Sequence, residues 1–178
     1  FHTHAFSEKI AEKAMASLAE TSGITPETNG TVSDLLKKCD EYGIEKVMIL
    51  PIATKPAQQS IINSWAKEIM NERVYAYGSV HPDAEDALDE LEHIKQSGLF
   101  GVKLHPEYQK FEVDASHMLK IYDYALSKGL IILFHAGYDP AYPPSVPEEG
   151  TYINRFTSAT FVPGSIFKLV TAAAALEN

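Results

Sequence analysis

Five of the seven histidines fall at the ends of short apolar runs: His2, His4, His81, His105 and His135. Imidazole is the commonest metal ligand near neutral pH, and a Zn²⁺ held by three protein ligands keeps an open position where water becomes a nucleophile. His2 and His4 stand two apart, so on an extended segment both point to the same side, as two ligands of one ion must. Lys103 and His105 share a face for the same reason. A plainer reading stands beside each of these. A His-x-His pair also occurs on surfaces, and His81 ahead of Pro82 can cap a turn. His105 and His135 each end an apolar strand, where a buried, hydrogen-bonded structural histidine also fits. The coincidence of five favours a metal or catalytic site, with Lys103 as a structural or substrate-orienting cation. His93 and His117 lie on helical stretches without a partner. Cys39 reads as a plain buried helix residue, and the run from Glu85 to Glu92 as a solvated helix face.

The elements that must position these residues repeat. From Thr31 onward, helix-period stretches alternate with short β-branched or aromatic runs, as in parallel βα units. Leu35, Leu36, Cys39 and Tyr42 form one helix face, Gly43 stops it, and 46–52 reads as a strand. Ile61, Ile62, Trp65 and Ile69 follow Pro56 on a second helix, with 74–81 as the next strand. Asp83 can cap a third helix that turns Ala87, Leu88, Leu91 and Ile94 inward, before the strand 101–105. Met118, Leu119, Tyr122, Ala125 and Leu126 stripe a fourth, ended by Gly129, ahead of the almost wholly apolar strand 130–135. An earlier helix, about 7–21, follows a stub of strand at 1–4. Strands starting near 46, 74, 101 and 130 give a repeat of about 28 residues, which suits a (β/α) barrel or a doubly wound sheet. A full barrel takes about 250 residues, so five strands make roughly five-eighths of one. In the barrel reading the five histidines lie on the face where active sites are built.

Composition excludes some partners. The 178 residues are 45% hydrophobic and 22% charged, with a net charge of -9. No cluster of Lys and Arg offers a nucleic-acid footprint, so a small-molecule substrate is the better expectation. One cysteine rules out an internal disulfide and suits the cytoplasm. No apolar run is long enough to span a membrane, and no signal peptide is visible. The chain opens at Phe1 without a Met, which suggests that upstream sequence is missing.

The opening Phe1-His2-Thr3-His4-Ala5-Phe6, the run Gly101-Val102-Lys103-Leu104-His105-Pro106 and the strand Leu133-Phe134-His135-Ala136-Gly137 together resemble the amidohydrolase superfamily, in its amidohydrolase-2 branch, over residues 1–148. The resemblance implies a truncated TIM barrel whose metal ligands are His2, His4 and His135. It implies Zn²⁺ or another divalent ion as cofactor, with His105 lining the same pocket and Lys103 nearby. It further implies hydrolysis of C–N or C–O bonds, or non-oxidative decarboxylation. The sixth-strand histidine and eighth-strand aspartate of that pattern have no counterpart here, so little catalysis is expected of the chain itself.

After Glu149-Gly150 the grammar changes. A helix starting at Ser165 would place Ser165 and Lys168 on one face, so the amine could take the hydroxyl proton. Asn154-Arg155-Phe156, Pro163-Gly164-Ser165, Phe167-Lys168 and the Ala-rich run from Thr171 to Glu177 resemble the nucleophile segment of penicillin-binding protein transpeptidases. By that resemblance Ser165 is the acylated nucleophile and Lys168 its base. The S-x-N and K-T-G elements of such a site are absent. The expected architecture is therefore α/β: a partial (β/α)8 barrel over 1–148 and a helical tail of unrelated fold over 149–178. An artificial fusion is the simplest origin, and an open barrel edge invites self-association.

Overall fold

The computed structural model describes residues 2–135. Its five strands run parallel. β1 (His2–Thr3) pairs with β2 (Val47–Ile49), β2 with β3 (Val74–Ala76), and β4 (Gly101–Leu104) with β5 (Ile131–Phe134). A bridge between Gly78 and Val102 joins the two groups, with the Lys103 N–H donating to the Gly78 carbonyl at 2.8 Å. The strands thus lie side by side in sequence order. A doubly wound sheet reverses its order at a switch point, whereas barrel winding does not. The order therefore has the barrel sense, although no closure is present among the described residues.

Strand alternation separates two apolar layers. Val47, Ile49 and Val74 face outward onto Leu35 and Cys39 of α2 (Val32–Glu41). Val102, Leu104 and Ile132 pack on Leu91 and Ile94 of α4 (Ala87–Gln96) and on Met118 of α6 (Ser116–Ser127). The opposite parity, Met48, Leu50, Tyr77 and Leu133, makes a separate cluster on the inner side. Each large outer side chain so buried contributes about 1.5–3 kcal/mol. Gly101 lets β4 approach β5 closely, since a Cβ there would strike the Ile131 carbonyl. Gly43, at φ 67°, ends α2 in a left-handed conformation closed to most side chains. No helix among the described residues is long and apolar enough to cross a membrane.

Several expectations change. The ladders stop at Ile49 and Ala76, short of positions 52 and 81, because the strand ends beyond them are held by side chains, as described below. α4 starts one residue after Asp86, which takes the N-cap position expected of Asp83. Its inward face runs through Ala87, Glu90, Leu91 and Ile94, leaving Leu88 39% exposed, and the acidic run is not wholly solvated because Glu90 is buried. α3 (Gln59–Ile69) buries Gln59, Asn63 and Ala66, while Ile61 is 73% exposed. Leu119 and Tyr42 are likewise exposed. In each case the buried stripe is one position narrower than the apolar spacing predicts. Cys39 is buried on α2, as expected. α1 spans Ala11–Ser22, and a single-turn helix, α5 (Pro106–Gln109), had no counterpart in the sequence pattern. The tail from 149 to 178, with Ser165 and Lys168, lies outside the described residues.

Candidate active site at the strand ends

Four buried amide and hydroxyl side chains fix the carboxyl ends of β2, β3 and β4. The Ser79 hydroxyl accepts from Ala53 N–H at 3.0 Å and donates to the Lys103 carbonyl at 2.9 Å. Asn63 clasps the Ser79 backbone, accepting its N–H at 2.7 Å and donating to its carbonyl at 2.9 Å, and also donates to Glu90 at 2.8 Å. Gln59 accepts from His81 N–H at 3.0 Å and donates to Asp86 at 2.7 Å. Gln109 accepts from His105 N–H at 2.9 Å and donates to the Ala53 and Val80 carbonyls at 2.9 and 2.8 Å. Buried polar groups persist only when paired, so this system spends amide side chains where a ladder would otherwise run. Sequence reasoning missed it, since Gln59, Asn63 and Gln109 carry no motif. Their one signal was polar residues flanking an apolar helix stripe.

These anchors present Lys103, His105 and His135 on the inner side, next to His4. His4 donates from Nδ1 to the Leu50 carbonyl at 2.8 Å. A carbonyl can only accept, so the proton sits on Nδ1 and Nε2 keeps a lone pair. The residue opens to solvent on one side, yet its ring is enclosed enough that lost hydration lowers its pKa to about 4. The positive charge of Lys103 and, more weakly, His135 adds to that lowering, and the Leu50 carbonyl opposes it. Lys103 itself is 1% exposed. His105, also buried, is stacked between Tyr108 and His135, each with its ring centroid 4.0 Å away and its plane nearly parallel. Its Nδ1 accepts from the Tyr108 N–H at 3.4 Å, capping α5, and stands 3.4 Å from Glu107 Oε2.

His81, beyond the end of β3, is engaged by its own turn. Its Nδ1 accepts from Asp83 N–H at 3.2 Å and its carbonyl from Ala84 N–H at 3.0 Å, the turn-capping role of the plainer reading. Burial lowers its pKa, against opposing effects of Asp83 and the Thr54 backbone. His93 and His117 sit exposed on α4 and α6.

The donor set suits a divalent ion in part. His4 has the tautomer of a ligand, with the proton-bearing nitrogen anchored by a carbonyl as metal-binding imidazoles require, and His135 is near enough for its charge to be felt. His2 is fixed in backbone register with Met48 on β1, two residues before His4, which follows the strand. Among the described residues, no three His, Cys, Asp or Glu side chains gather closely enough to hold an ion. An open depression of about 870 Å³, lined in part by Cys39, Lys46, Arg73 and Tyr75, lies at the opposite end of the strands. There Arg73 pairs with Asp40. A barrel's chemistry is built at the carboxyl ends instead, and the histidines stand there.

Comparisons with known proteins agree with both halves of the resemblance. The penicillin binding protein transpeptidase domain model matches residues 131–178. No curated protein matches. Among solved structures, 5-carboxyvanillate decarboxylase LigW from Sphingomonas paucimobilis is 14% identical with a TM-score of 0.58, over 98% of this chain and 61% of that one. The apo form of Metarhizium anisopliae IDCase is 18% identical with a TM-score of 0.50, over 79% of this chain and 44% of that one. A probable 2-pyrone-4,6-dicarboxylic acid hydrolase from Acinetobacter baumannii, with citric acid bound, is 19% identical with a TM-score of 0.48, over 76% and 48%. The chain thus spans about half to three-fifths of their lengths, and identities this low establish the fold alone. The transpeptidase match begins within β5, ahead of the change of grammar near residue 150. The chain therefore has the α/β fold seen in 5-carboxyvanillate decarboxylase LigW and in IDCase, and from Ile131 it resembles a penicillin-binding-protein transpeptidase segment.

Proposed function

We propose that the strand ends are the pocket of a metal-dependent enzyme of the amidohydrolase type, acting on a C–N or C–O bond of a small molecule. The metal is zinc or another divalent ion, held by His2, His4 and His135. The observation that carries this reading is His4: its Nδ1–H is committed to the Leu50 carbonyl, and its ring stays neutral well below neutral pH. A neutral imidazole with its proton on the nitrogen held by the protein is the state a ligand needs. When bound, such an ion supplies Lewis acidity and a nucleophilic water near neutral pH. Lys103 contributes positive charge that orients a substrate oxygen, and His105 lines the pocket beside His135. Decarboxylation is the alternative outcome in the same pocket. The test is metal content: the full chain equilibrated with zinc should retain about one equivalent after gel filtration. Replacing His2 and His4 together by Ala should abolish that uptake, and unaltered uptake refutes the reading.

A second reading rests on the family match over residues 131–178. In it Ser165 is acylated and Lys168 takes its proton, as in peptidoglycan cross-linking. Labelling by a fluorescent penicillin that disappears in Ser165→Ala supports it, and absence of labelling removes it. If both tests fail, the chain is an inert fusion.

A further inference from the structure

The backbone of Ala53, in the turn after β2, is held on both sides by side chains of other elements. Its N–H donates to the Ser79 hydroxyl at 3.0 Å, and its carbonyl accepts from the Gln109 amide at 2.9 Å. The same two side chains continue to the end of β4. Ser79 donates to the Lys103 carbonyl at 2.9 Å, and Gln109 accepts from the His105 N–H at 2.9 Å. Two bridges therefore run side by side from Ala53, and each finishes on the backbone of a pocket residue. The Gln109 amide has a single orientation that satisfies its partners. Ala53 and Val80 offer carbonyls, which only accept, and His105 offers an N–H, which only donates. The Gln109 backbone N–H also closes onto the His105 carbonyl at 2.9 Å, so Gln109 engages both polar groups of the His105 backbone. Ala53 is wholly buried and follows Leu50, whose carbonyl holds His4 Nδ1, with only Pro51 and Ile52 between. The fixed φ of Pro51 stiffens that connection.

We propose that Gln109 is a positioning residue that couples two arms of the pocket: through Ala53 it aims the Leu50 carbonyl at His4, and through the His105 backbone it sets the end of β4. Ser79 supplies the parallel link. Gln109 acts through these backbones and reaches neither an ion nor a substrate itself. The coupling stands on geometry alone, while its consequence for an ion rests on the metal-pocket reading. In that reading the Leu50 carbonyl orients a ligand imidazole, and partners of this kind set metal affinity by about 10–100-fold.

Solvent exchange of the His4 ring Nδ1–H tests the coupling in the metal-free full chain. It is read by ¹H–¹⁵N NMR, with the signal assigned by its loss in His4→Gln. Gln109→Met, nearly equal in volume, and Ser79→Ala should each speed that exchange by about tenfold or more, the factor that one net hydrogen bond sets. Gln59→Met is the control. It removes an equally buried amide that holds the His81 N–H and Asp86 without touching Ala53. It should lower overall stability comparably, yet leave His4 exchange within about twofold of the native chain. Zinc affinity should fall by about 10–100-fold in Gln109→Met and hold in Gln59→Met. Unchanged His4 exchange in Gln109→Met or in Ser79→Ala, equal acceleration in Gln59→Met, or undiminished zinc affinity in Gln109→Met overturns the proposal. Should Gln109→Met not unfold cooperatively, Gln109→Asn, shorter by one methylene, takes its place under the same criteria. If the native chain binds no zinc, the metal-pocket reading falls, and the exchange rates alone decide the coupling.

Discussion

Replacing Asn63 tests whether side chains, and not ladder bonds, hold the strand ends. Asn63 is wholly buried and makes three hydrogen bonds, two to the backbone of Ser79 and one to Glu90. Asn63→Ala leaves an N–H, a carbonyl and a carboxylate oxygen in the interior without that partner. Each stranded group costs about 1–3 kcal/mol, so the expected loss is about 3–9 kcal/mol. Against a total stability of about 5–15 kcal/mol this is a large fraction. Asn63→Asp should be as damaging for a different reason. It still accepts from the Ser79 N–H, but it places a second carboxylate where an amide now donates to Glu90 at 2.8 Å. The pair Asn63→Asp with Glu90→Gln restores a donor across that contact and should recover more than half of the loss. Only the Ser79 carbonyl is then left short, at about 1 kcal/mol. Urea unfolding followed by far-ultraviolet circular dichroism, with the slope checked for constancy, measures all four chains. A cost below about 1 kcal/mol for Asn63→Ala, or no recovery in the double variant, refutes the reasoning.

Other consequences follow from the same geometry. His4 has its pKa lowered from 6.5 to about 4, so folding favours its neutral form. Its contribution to stability is present above the unfolded value of 6.5 and drains away as pH falls from there toward 4. The difference in unfolding midpoint between the native chain and His4→Gln should narrow over that window, and a constant difference contradicts the assignment. His81, also lowered by burial, should shift stability in the same direction. Gly101→Ala drives a Cβ into the Ile131 carbonyl and should cost at least about 2 kcal/mol by urea unfolding. Leu91→Ala, on the buried face of α4, should cost about 2–5 kcal/mol. Ile61→Ala, on exposed surface of α3, should change stability by less than about 0.5 kcal/mol. Equal costs for the two would mean that the helix faces are wrongly placed.

The parts of the fold that the sequence announced are those with a repeating physical cause. Apolar side chains at helical spacing, glycine stops such as Gly43 and Gly129, and β-branched runs at about 28-residue intervals placed β2 to β5 and the main helix ahead of each. Spacing could not choose between a barrel and a doubly wound sheet, because both use right-handed βα units. The sequential strand order could not be read from spacing either. Helix faces were legible to within one position. Leu88 and Leu119 lie at the margin of their stripes, and there the neighbouring element decides whether a leucine is covered. Of the site, the positions of His4, His105 and His135 at strand ends could be read from the chain, and the capping partners of His81 could not, since Asp83 and Gln59 engage its ring and backbone. The amide anchors were hidden for a related reason. A Gln or Asn on an amphipathic helix looks the same whether it meets water or the carbonyl of a strand end.

The central claim is that His2, His4 and His135 share one divalent ion at the carboxyl ends of the strands. Zinc K-edge X-ray absorption of the zinc-loaded full chain tests it most directly, since imidazole rings leave a distinct outer-shell scattering pattern. Ligation by the three histidines gives a first shell of nitrogen and oxygen at about 2.0–2.1 Å with the signature of three imidazoles. One imidazole fewer is expected in His4→Ala and again in His135→Ala. A spectrum with no imidazole scattering, or one that neither substitution changes, contradicts it.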